Sequence, residues 1–286
     1  MKPETIQKLL TINHQFYQTF AEAFDATRQR VQPGVARVLD SIPKDARILD
    51  LGCGNGEAAR ELERRGFRGE YVGVDFSEGL LEAARETCQV FGNLTGLVFL
   101  QRDLTAPDWD AGLEGPFDEV LAFAVLHHLP PSFYPEILRK VRALLNRHSE
   151  ERQRRGIPDT RVDPLPEMGN SLLTSQGFLT GVRNDKLEQG VFVLSNWQFL
   201  NSPRWRARVQ PWERVGLTAE DVGPNDYLLD WRQGGEGLRY VHHFSEGELA
   251  ALAEATGFEV VETFLSDGKE GNLGLYQIWG ISTQSR

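Results

Sequence analysis

The glycine-rich segment at residues 46–58, with the sequence ARILDLGCGNGEA, constrains the fold of this chain more than any other feature. Ile48, Leu49 and Leu51 predict a strand that is buried on both faces. Three glycines follow at alternate positions, where they permit positive φ angles and a close approach of the backbone to a ligand. Helical composition begins at Glu57. This order of strand, glycine turn and helix N-terminus predicts a nucleotide-cofactor loop in an α/β fold.

The spacing of the glycines indicates which kind of nucleotide the loop holds. Gly52, Gly54 and Gly56 form the pattern G-x-G-x-G, whereas a dinucleotide loop has G-x-G-x-x-G. Glu57 stands where the third glycine of the dinucleotide pattern would fall, and its negative charge at a helix N-terminus would repel a pyrophosphate. The loop therefore favours S-adenosylmethionine, which has no phosphate and carries a sulfonium, over a nicotinamide dinucleotide.

Three further predicted strands end in polar residues. Asp75 closes a second apolar strand, EYVGVDFS, nineteen residues after the last loop glycine, and this spacing suits an acid that accepts both ribose hydroxyls. A third strand begins at Leu97 and ends at Asp103, and a fourth begins at Phe117 and runs into the sequence LHHL. We expect the ends of all four strands to meet at one crevice.

These four motifs, DLGCGNG, VGVDFS, FLQRDL and FDEVLAFAVLHHL, resemble in order and spacing the motifs of the class I S-adenosylmethionine-dependent methyltransferases. The resemblance implies a Rossmann-like sheet of seven strands with helices on both faces. The polar segment at 146–189 and the long segment after Trp197 predict inserted loop or lid regions before and after strand five. S-adenosylmethionine is the implied cofactor, and methyl transfer is the implied reaction.

The resemblance further implies how the cofactor is held. Asp75 would bind the ribose, Phe76 the face of the adenine and Asp103 its amino group, while Ala122 and Phe123 would offer carbonyls to the methionine ammonium. The glycine loop would face the methionine part. The complete set of cofactor contacts expected on this basis is Tyr17, Asp50, Gly52, Cys53, Gly54, Asn55, Gly56, Asp75, Phe76, Ser77, Asp103, Leu104, Ala122 and Phe123.

The chain divides into four predicted parts. Residues 1–45 would form helices that cover the cofactor site, and residues 46–145 the cofactor-binding half of the core. Residues 146–189 are polar and contain prolines, which is consistent with a lid, a recognition loop or a flexible surface segment. Residues 190–286 would complete the core. Within them, residues 197–244 hold four tryptophans interleaved with arginines, which predicts either a substrate surface or the core of a subdomain.

A narrower resemblance is carried by both ends of the chain. It is to the methyltransferases that esterify the carboxymethyl group on wobble uridines of tRNA, including the AlkB-homologue group. Their motifs resemble Tyr17, the pattern from Phe24 to Arg28 and the segment RYVHHFSEGEL from Arg239. This resemblance implies tRNA as substrate and a small zinc-binding partner protein. The insertion at 146–189 and Val241, where the family has tyrosine, depart from the pattern. A small-molecule acid, amine or hydroxyl therefore stays open as the methyl acceptor.

The chemistry of the acceptor decides which side chains would be catalytic. A carboxylate is ionised at neutral pH and needs no base, so a cation would hold it, and Arg28 and Arg239 are the candidates. An amine or hydroxyl needs a base, for which His127 at the end of strand four is placed best, although it could equally be structural. One of the adjacent histidines, His242, would face the pocket and support turnover.

Composition and charge limit the partners, the localisation and the functional classes that this chain can have. The formal net charge of −10 argues against nucleic acid, although two arginine clusters, at 139–155 and 204–214, leave such a partner possible. Without an apolar run of about 20 residues or a signal peptide, we expect a cytoplasmic protein with no membrane contact. Two cysteines without zinc spacing predict no metal site. A non-catalytic binder or scaffold is the hypothesis from a different functional class.

Overall fold

The computed structural model describes residues 1–27, 30–89, 96–145 and 190–282. Seven strands form one sheet in the order β3-β2-β1-β4-β5-β10-β9, in which the first five strands are parallel and β10 is antiparallel to both of its neighbours. This arrangement confirms the predicted seven-stranded α/β fold. The strands are β1 (Arg47–Leu51), β2 (Glu70–Asp75), β3 (Leu97–Gln101), β4 (Glu119–Phe123), β5 (Val191–Trp197), β6 (Val209–Gln210), β7 (Asp226–Trp231), β8 (Gly237–His242), β9 (Phe258–Ser266) and β10 (Gly274–Ile281).

The helices connect the strands and begin at residues that favour helix starts. Prolines stand in the first turn of α1 and α3, where a missing backbone N–H costs nothing. The predicted capping box is present, because the Ser245 hydroxyl accepts a 3.1 Å hydrogen bond from the backbone N–H of Glu248. The helices are α1 (Pro3–Thr19), α2 (Ala21–Asp25), α3 (Pro33–Ser41), α4 (Glu57–Arg64), α5 (Glu78–Gln89), α6 (Tyr134–Leu145), α7 (Pro203–Arg206) and α8 (Glu246–Ala255).

Strand β1 lies at the centre of the sheet and is buried on both faces, as its sequence predicts. Leu49 and Leu51 belong to one apolar cluster, whereas Ile48 belongs to the cluster on the other face. Successive side chains of a strand point to opposite faces, so this strand contributes to both cores of the layered fold. Its glycine loop is thereby fixed at the edge where the parallel strands end.

A second, three-stranded sheet was not predicted from the sequence. Strands β6, β7 and β8 pair antiparallel in sequence order between β5 and α8, and we call them the small sheet. Trp212 packs with Leu9, Leu228 and Tyr240 in an apolar cluster that joins this sheet to α1. Trp231 is likewise a buried member of an apolar cluster, so two of the four tryptophans in the 197–244 segment are core. The strands escaped prediction because their apolar residues alternate only weakly.

Asn13 joins helix α1 to two other elements. Its side-chain N–H groups donate to the backbone oxygens of His128, at 2.7 Å, and of Tyr240, at 3.1 Å. Its side-chain oxygen accepts from the backbone N–H of Tyr240 at 2.8 Å. One buried amide thus ties α1 to β8 and to the short 3-10 turn at Leu126–His128.

Two predictions fall on residues that the structure does not describe, the segment 146–189 and Arg28. Among the described residues, no helix is both long enough and apolar enough to cross a membrane.

We expect Asn13→Ala to lower the free energy of unfolding by about 3 kcal/mol, because three hydrogen bonds are lost and the buried backbone N–H of Tyr240 loses its partner. Urea denaturation followed by circular dichroism measures the change. Asn201→Ala is the matched control, because Asn201 is exposed and makes one hydrogen bond, to the Asn272 carbonyl. Equal losses in the two variants would contradict the role given to Asn13.

Candidate active site

A cavity of about 510 Å³ lies where the parallel strands end, between the glycine loop, α1 and the small sheet. It therefore occupies the place at which open α/β sheets bind ligands. Of the residues predicted for the site, these line the cavity: Tyr17, Asp50, Gly52, Cys53, Gly54, Asn55, Asp75, Phe76, Asp103, Leu104, Phe123, His127 and Arg239. Gly56, Ser77, Ala122 and His242 are described but are not among its lining residues.

Asp75 is held by the backbone of the glycine loop. One of its carboxylate oxygens accepts from the N–H of Gly54 and the other from the N–H of Ser77, both at 2.9 Å. Gly54 has a φ of +55°, a conformation that favours glycine, and this geometry turns its N–H toward Asp75. Burial raises the pKa of Asp75 to about 6, although these backbone hydrogen bonds oppose the shift. The carboxylate is therefore positioned before any ligand binds.

Asp50, the second acid beside the loop, is tied to the adjacent strand. It accepts a hydrogen bond from the Tyr71 hydroxyl. Burial raises its pKa to about 7, a shift that the hydrogen bond opposes and the nearby charge of Asp75 increases. A positively charged ligand group in this part of the cavity would favour ionisation of both acids.

The predicted adenine contacts are joined by a residue that the sequence analysis missed. The His14 ring stacks on Phe76 with the ring centroids 4.7 Å apart and the planes 19° apart. Its Nε2 lies 3.3 Å from a carboxylate oxygen of Asp103. His14 precedes Tyr17 by one helical turn, so both face the cavity. The sequence feature that could have identified His14 is its i, i+3 spacing from Tyr17 on an amphipathic helix.

A second histidine, His128, forms a polar contact with Tyr17. The Tyr17 hydroxyl lies 2.9 Å from His128 Nε2, and His128 Nδ1 lies 3.2 Å from the backbone oxygen of Tyr240. A carbonyl can only accept, so Nδ1 donates to it, and Nε2 of the neutral ring accepts from Tyr17. His127 also lines the cavity and is 1% exposed. The sequence pointed to His127 alone, whereas the structure brings both histidines to the cavity.

Arg239 also lines the cavity and is buried, with 5% of its surface exposed. Its guanidinium carbon lies over three aromatic rings, at 4.8 Å from the centroid of Trp197 and at 5.5 Å from those of Phe16 and Trp231. Such contacts stabilise the cation through its faces, and the N–H donors of a guanidinium lie in the plane of the group. We call Arg239, Trp197 and Trp231 the acceptor side, and Asp50, Asp75, Phe76 and Asp103 the cofactor side.

The structure does not bring His242 to the cavity, contrary to the expected catalytic role. Its Nδ1 lies 2.7 Å from Asp226 and its Nε2 lies 2.8 Å from Glu248, so the ring links the small sheet to α8. Burial lowers its pKa, but the hydrogen bonds and charges of the two carboxylates outweigh burial and raise it above 6.5. Both ring nitrogens are engaged in this contact, which is a structural one. The described residues include no group of three or more metal-ligating side chains.

A model of a methyltransferase domain matches residues 48–148. Residues 48–148 therefore form a class I S-adenosylmethionine-dependent methyltransferase domain. A solved S-adenosylmethionine-dependent methyltransferase from Methanosarcina mazei shares the fold, with a TM-score of 0.56 and 18% identity, over 89% of this chain and 100% of that chain. The cofactor of this family is S-adenosylmethionine, and the carboxylates and aromatic ring of the cofactor side fit its ribose, ammonium and adenine.

Two curated relatives act on named acceptors. The tRNA (carboxymethyluridine(34)-5-O)-methyltransferase ALKBH8 of Macaca fascicularis is 24% identical over 89% of this methyltransferase and 42% of its own length. The trans-aconitate 2-methyltransferase of Azoarcus sp. is 35% identical over 37% of this chain and 39% of its own length. This methyltransferase spans less than half the length of the first curated relatives that it matches.

We expect Asp75→Ala to weaken the binding of S-adenosylhomocysteine about 30-fold, because a charged hydrogen bond to a ligand is worth about 2 kcal/mol. Isothermal titration calorimetry measures the dissociation constant. Asp45→Ala is the control, since Asp45 is exposed and is not among the lining residues. An unchanged dissociation constant in folded Asp75→Ala would show that Asp75 does not bind the cofactor.

We expect His242→Gln to destabilise the protein most at mildly acidic pH. The pKa of His242 is raised on folding, so its stabilising effect is complete below pH 6.5 and fades as the pH rises through the folded value. Contributions from Asp50 and Asp75 are common to both proteins and cancel in the difference. The test is the free energy of unfolding of the wild type and the variant from pH 5.5 to 9. A difference that grows with pH would have the wrong sign.

Proposed function

We propose that this methyltransferase transfers the methyl group of S-adenosylmethionine to the oxygen of a carboxylate, forming a methyl ester. The observation that carries the proposal is the buried Arg239 guanidinium on the acceptor side of the cavity. A guanidinium in this setting favours a ligand that brings a negative charge, and its planar donors match the two oxygens of a carboxylate. Asp50, Asp75 and Asp103 are on the cofactor side, where the cofactor is positively charged. Asp267 also lines the cavity, and its carboxylate accepts hydrogen bonds from the Gly34 N–H and the Tyr276 hydroxyl.

The proposed reaction requires little acid–base catalysis by the protein. The cofactor supplies a methyl group that is already activated as a sulfonium. Arg239 would hold both carboxylate oxygens, and a lone pair of one oxygen that is not used in these hydrogen bonds would attack the methyl group. The aromatic rings around Arg239 would exclude water. A carboxylate carries no proton to remove, so neither His127 nor His128 needs to act as a base. For an amine or hydroxyl acceptor, these two histidines would be the bases available at the cavity.

As the acceptor we propose the carboxymethyl group of a modified uridine in tRNA. The relative named for this reaction matches across 89% of the chain, including the segment around Arg239 that resembles its family. Trp197, Trp205 and Trp231 line the cavity and offer rings on which a base could stack. The exposed Arg204 at the same cavity could contact a phosphate.

A small organic acid is the second candidate, favoured by the net charge of −10, which opposes binding to nucleic acid. The relative named for trans-aconitate supports this class of acceptor over a shorter part of the chain. A small zinc-binding partner protein stays a prediction from the resemblance alone.

The direct test is incubation of the purified protein with methyl-labelled S-adenosylmethionine and tRNA that bears carboxymethyluridine. Digestion to nucleosides and mild alkali should then release labelled methanol, which is the signature of an ester. A panel of small di- and tricarboxylic acids, treated in the same way, tests the second candidate. Label that resists alkali would contradict transfer to a carboxylate.

We expect Arg239→Met to lower kcat/KM for the acid at least 100-fold, while the dissociation constant of S-adenosylhomocysteine changes less than threefold, because Arg239 lies on the acceptor side. Arg239→Lys should recover part of the loss, since it restores the charge without the planar donors. Arg64→Met, at an exposed arginine of α4, is the control. Equal losses in cofactor binding and in turnover would assign Arg239 a structural role.

A further inference from the structure

Asn196 is a buried polar residue to which nothing above assigns a role. It lies near the end of β5, lines the cavity and is 1% exposed. Neither its side-chain oxygen nor its side-chain nitrogen has a hydrogen-bond partner among the described residues. An amide that is buried in this way costs about 1–3 kcal/mol, so its presence at a cavity needs an explanation.

The polar residues beside Asn196 are all paired. The Ser195 hydroxyl accepts from the backbone N–H of Ala124 at 3.1 Å, and the Gln198 amide donates to the Phe244 carbonyl at 3.0 Å. The unpaired amide is therefore specific to Asn196 and is not a general feature of this strand end. A site that keeps polar atoms unpaired is typical of a surface that a ligand completes.

The position of Asn196 assigns it to the methyl acceptor. The next residue, Trp197, lies 4.8 Å from the Arg239 guanidinium on the acceptor side. Asn196 lies in β5, which β4 separates from the strands that carry the glycine loop and Asp75. Asn196 and Arg239 both line the cavity, and neither belongs to those strands.

We propose that Asn196 binds an edge of the acceptor in which a hydrogen-bond donor stands next to an acceptor, as in a cyclic imide. This inference rests on the proposed carboxylate function. A carboxylate oxygen can accept from the Asn196 N–H or from Arg239, but it cannot donate to the Asn196 oxygen. The side-chain oxygen is satisfied only by an N–H or O–H of the ligand. An imide, with N–H beside C=O, pairs with both amide atoms.

This assignment distinguishes between classes of acid. A polycarboxylate that is fully ionised offers no donor, so it would leave the Asn196 oxygen unpaired and lose affinity. A pyrimidine that carries an acid side chain offers both the carboxylate for Arg239 and the imide for Asn196. Asn196 is therefore a specificity-determining residue, and it would contact the acceptor without taking part in the transfer of the methyl group.

The test is the binding of four nucleosides to wild-type protein saturated with S-adenosylhomocysteine, measured by calorimetry: 5-carboxymethyluridine, uridine and the N3-methyl derivative of each. We expect N3-methylation to weaken the binding of 5-carboxymethyluridine at least tenfold in the wild type. Asn196→Leu should abolish this discrimination, and Asn201→Leu, at an exposed asparagine outside the cavity lining, should retain it. Asn196→Ala repeats the test should leucine be too large for the site.

Stability provides a readout that is independent of the acceptor. Removing an unpaired buried amide relieves its desolvation cost, so Asn196→Leu or Asn196→Ala should melt at a temperature no lower than the wild type without acceptor. A clear drop in melting temperature in both variants would reveal internal hydrogen bonds and overturn the assignment.

The outcomes separate the two proposals. One outcome is that the wild type prefers 5-carboxymethyluridine to uridine and yet binds the N3-methylated and unmethylated forms equally. This result overturns the role of Asn196 and leaves the carboxylate function intact. If uridine binds as tightly as 5-carboxymethyluridine while N3-methylation still weakens both, the role of Asn196 is supported and the carboxylate function fails. Failure of the wild type to bind any of the four overturns the assignment.

Discussion

The hydrogen bonds of Asn13 are the contact on which the geometry of the cavity depends most. Through them one buried side chain holds α1, β8 and the turn after β4 together. Helix α1 carries His14 and Tyr17 to the cofactor side and Phe16 to Arg239 on the acceptor side. Because a single helix contacts both sides, a displacement of α1 would change the cofactor and acceptor subsites together.

The cavity is divided electrostatically. Asp50 and Asp75 are buried on the cofactor side, where their raised pKa values record the cost of charge without a counterion. Arg239 is buried on the acceptor side, where aromatic rings replace part of its hydration. A cationic cofactor and an anionic acceptor would offset both costs. Under the proposed function, this division, more than the presence of any single base, would suit the site to joining two oppositely charged reactants.

The sequence predicted the parts of the fold that depend on local patterns. The glycine loop, Asp75 and the alternation of strands and helices follow from spacing within short segments, and the structure has them at the expected places. His14 and His128 could not be predicted in the same way, because their contacts join α1 to strand ends that are 62 and 111 residues away. The small sheet was missed although Gly234 and Gly235, which lie between β7 and β8 with positive φ angles, are a hairpin signal. Its strand β6 has only two residues and gives no periodic pattern.

His242 and Asn196 show how buried polar residues are to be interpreted. Both are almost completely buried, and both lie near the small sheet or the strand that precedes it. His242 has a carboxylate on each ring nitrogen, so its hydrogen-bonding capacity is used within the fold and its role is structural. Asn196 has no such contacts among the described residues, although it lines the cavity. Burial and polarity alone do not distinguish the two residues. Their hydrogen bonds do, because a buried polar side chain with partners inside the fold is structural, whereas one without such partners at a cavity can bind a ligand.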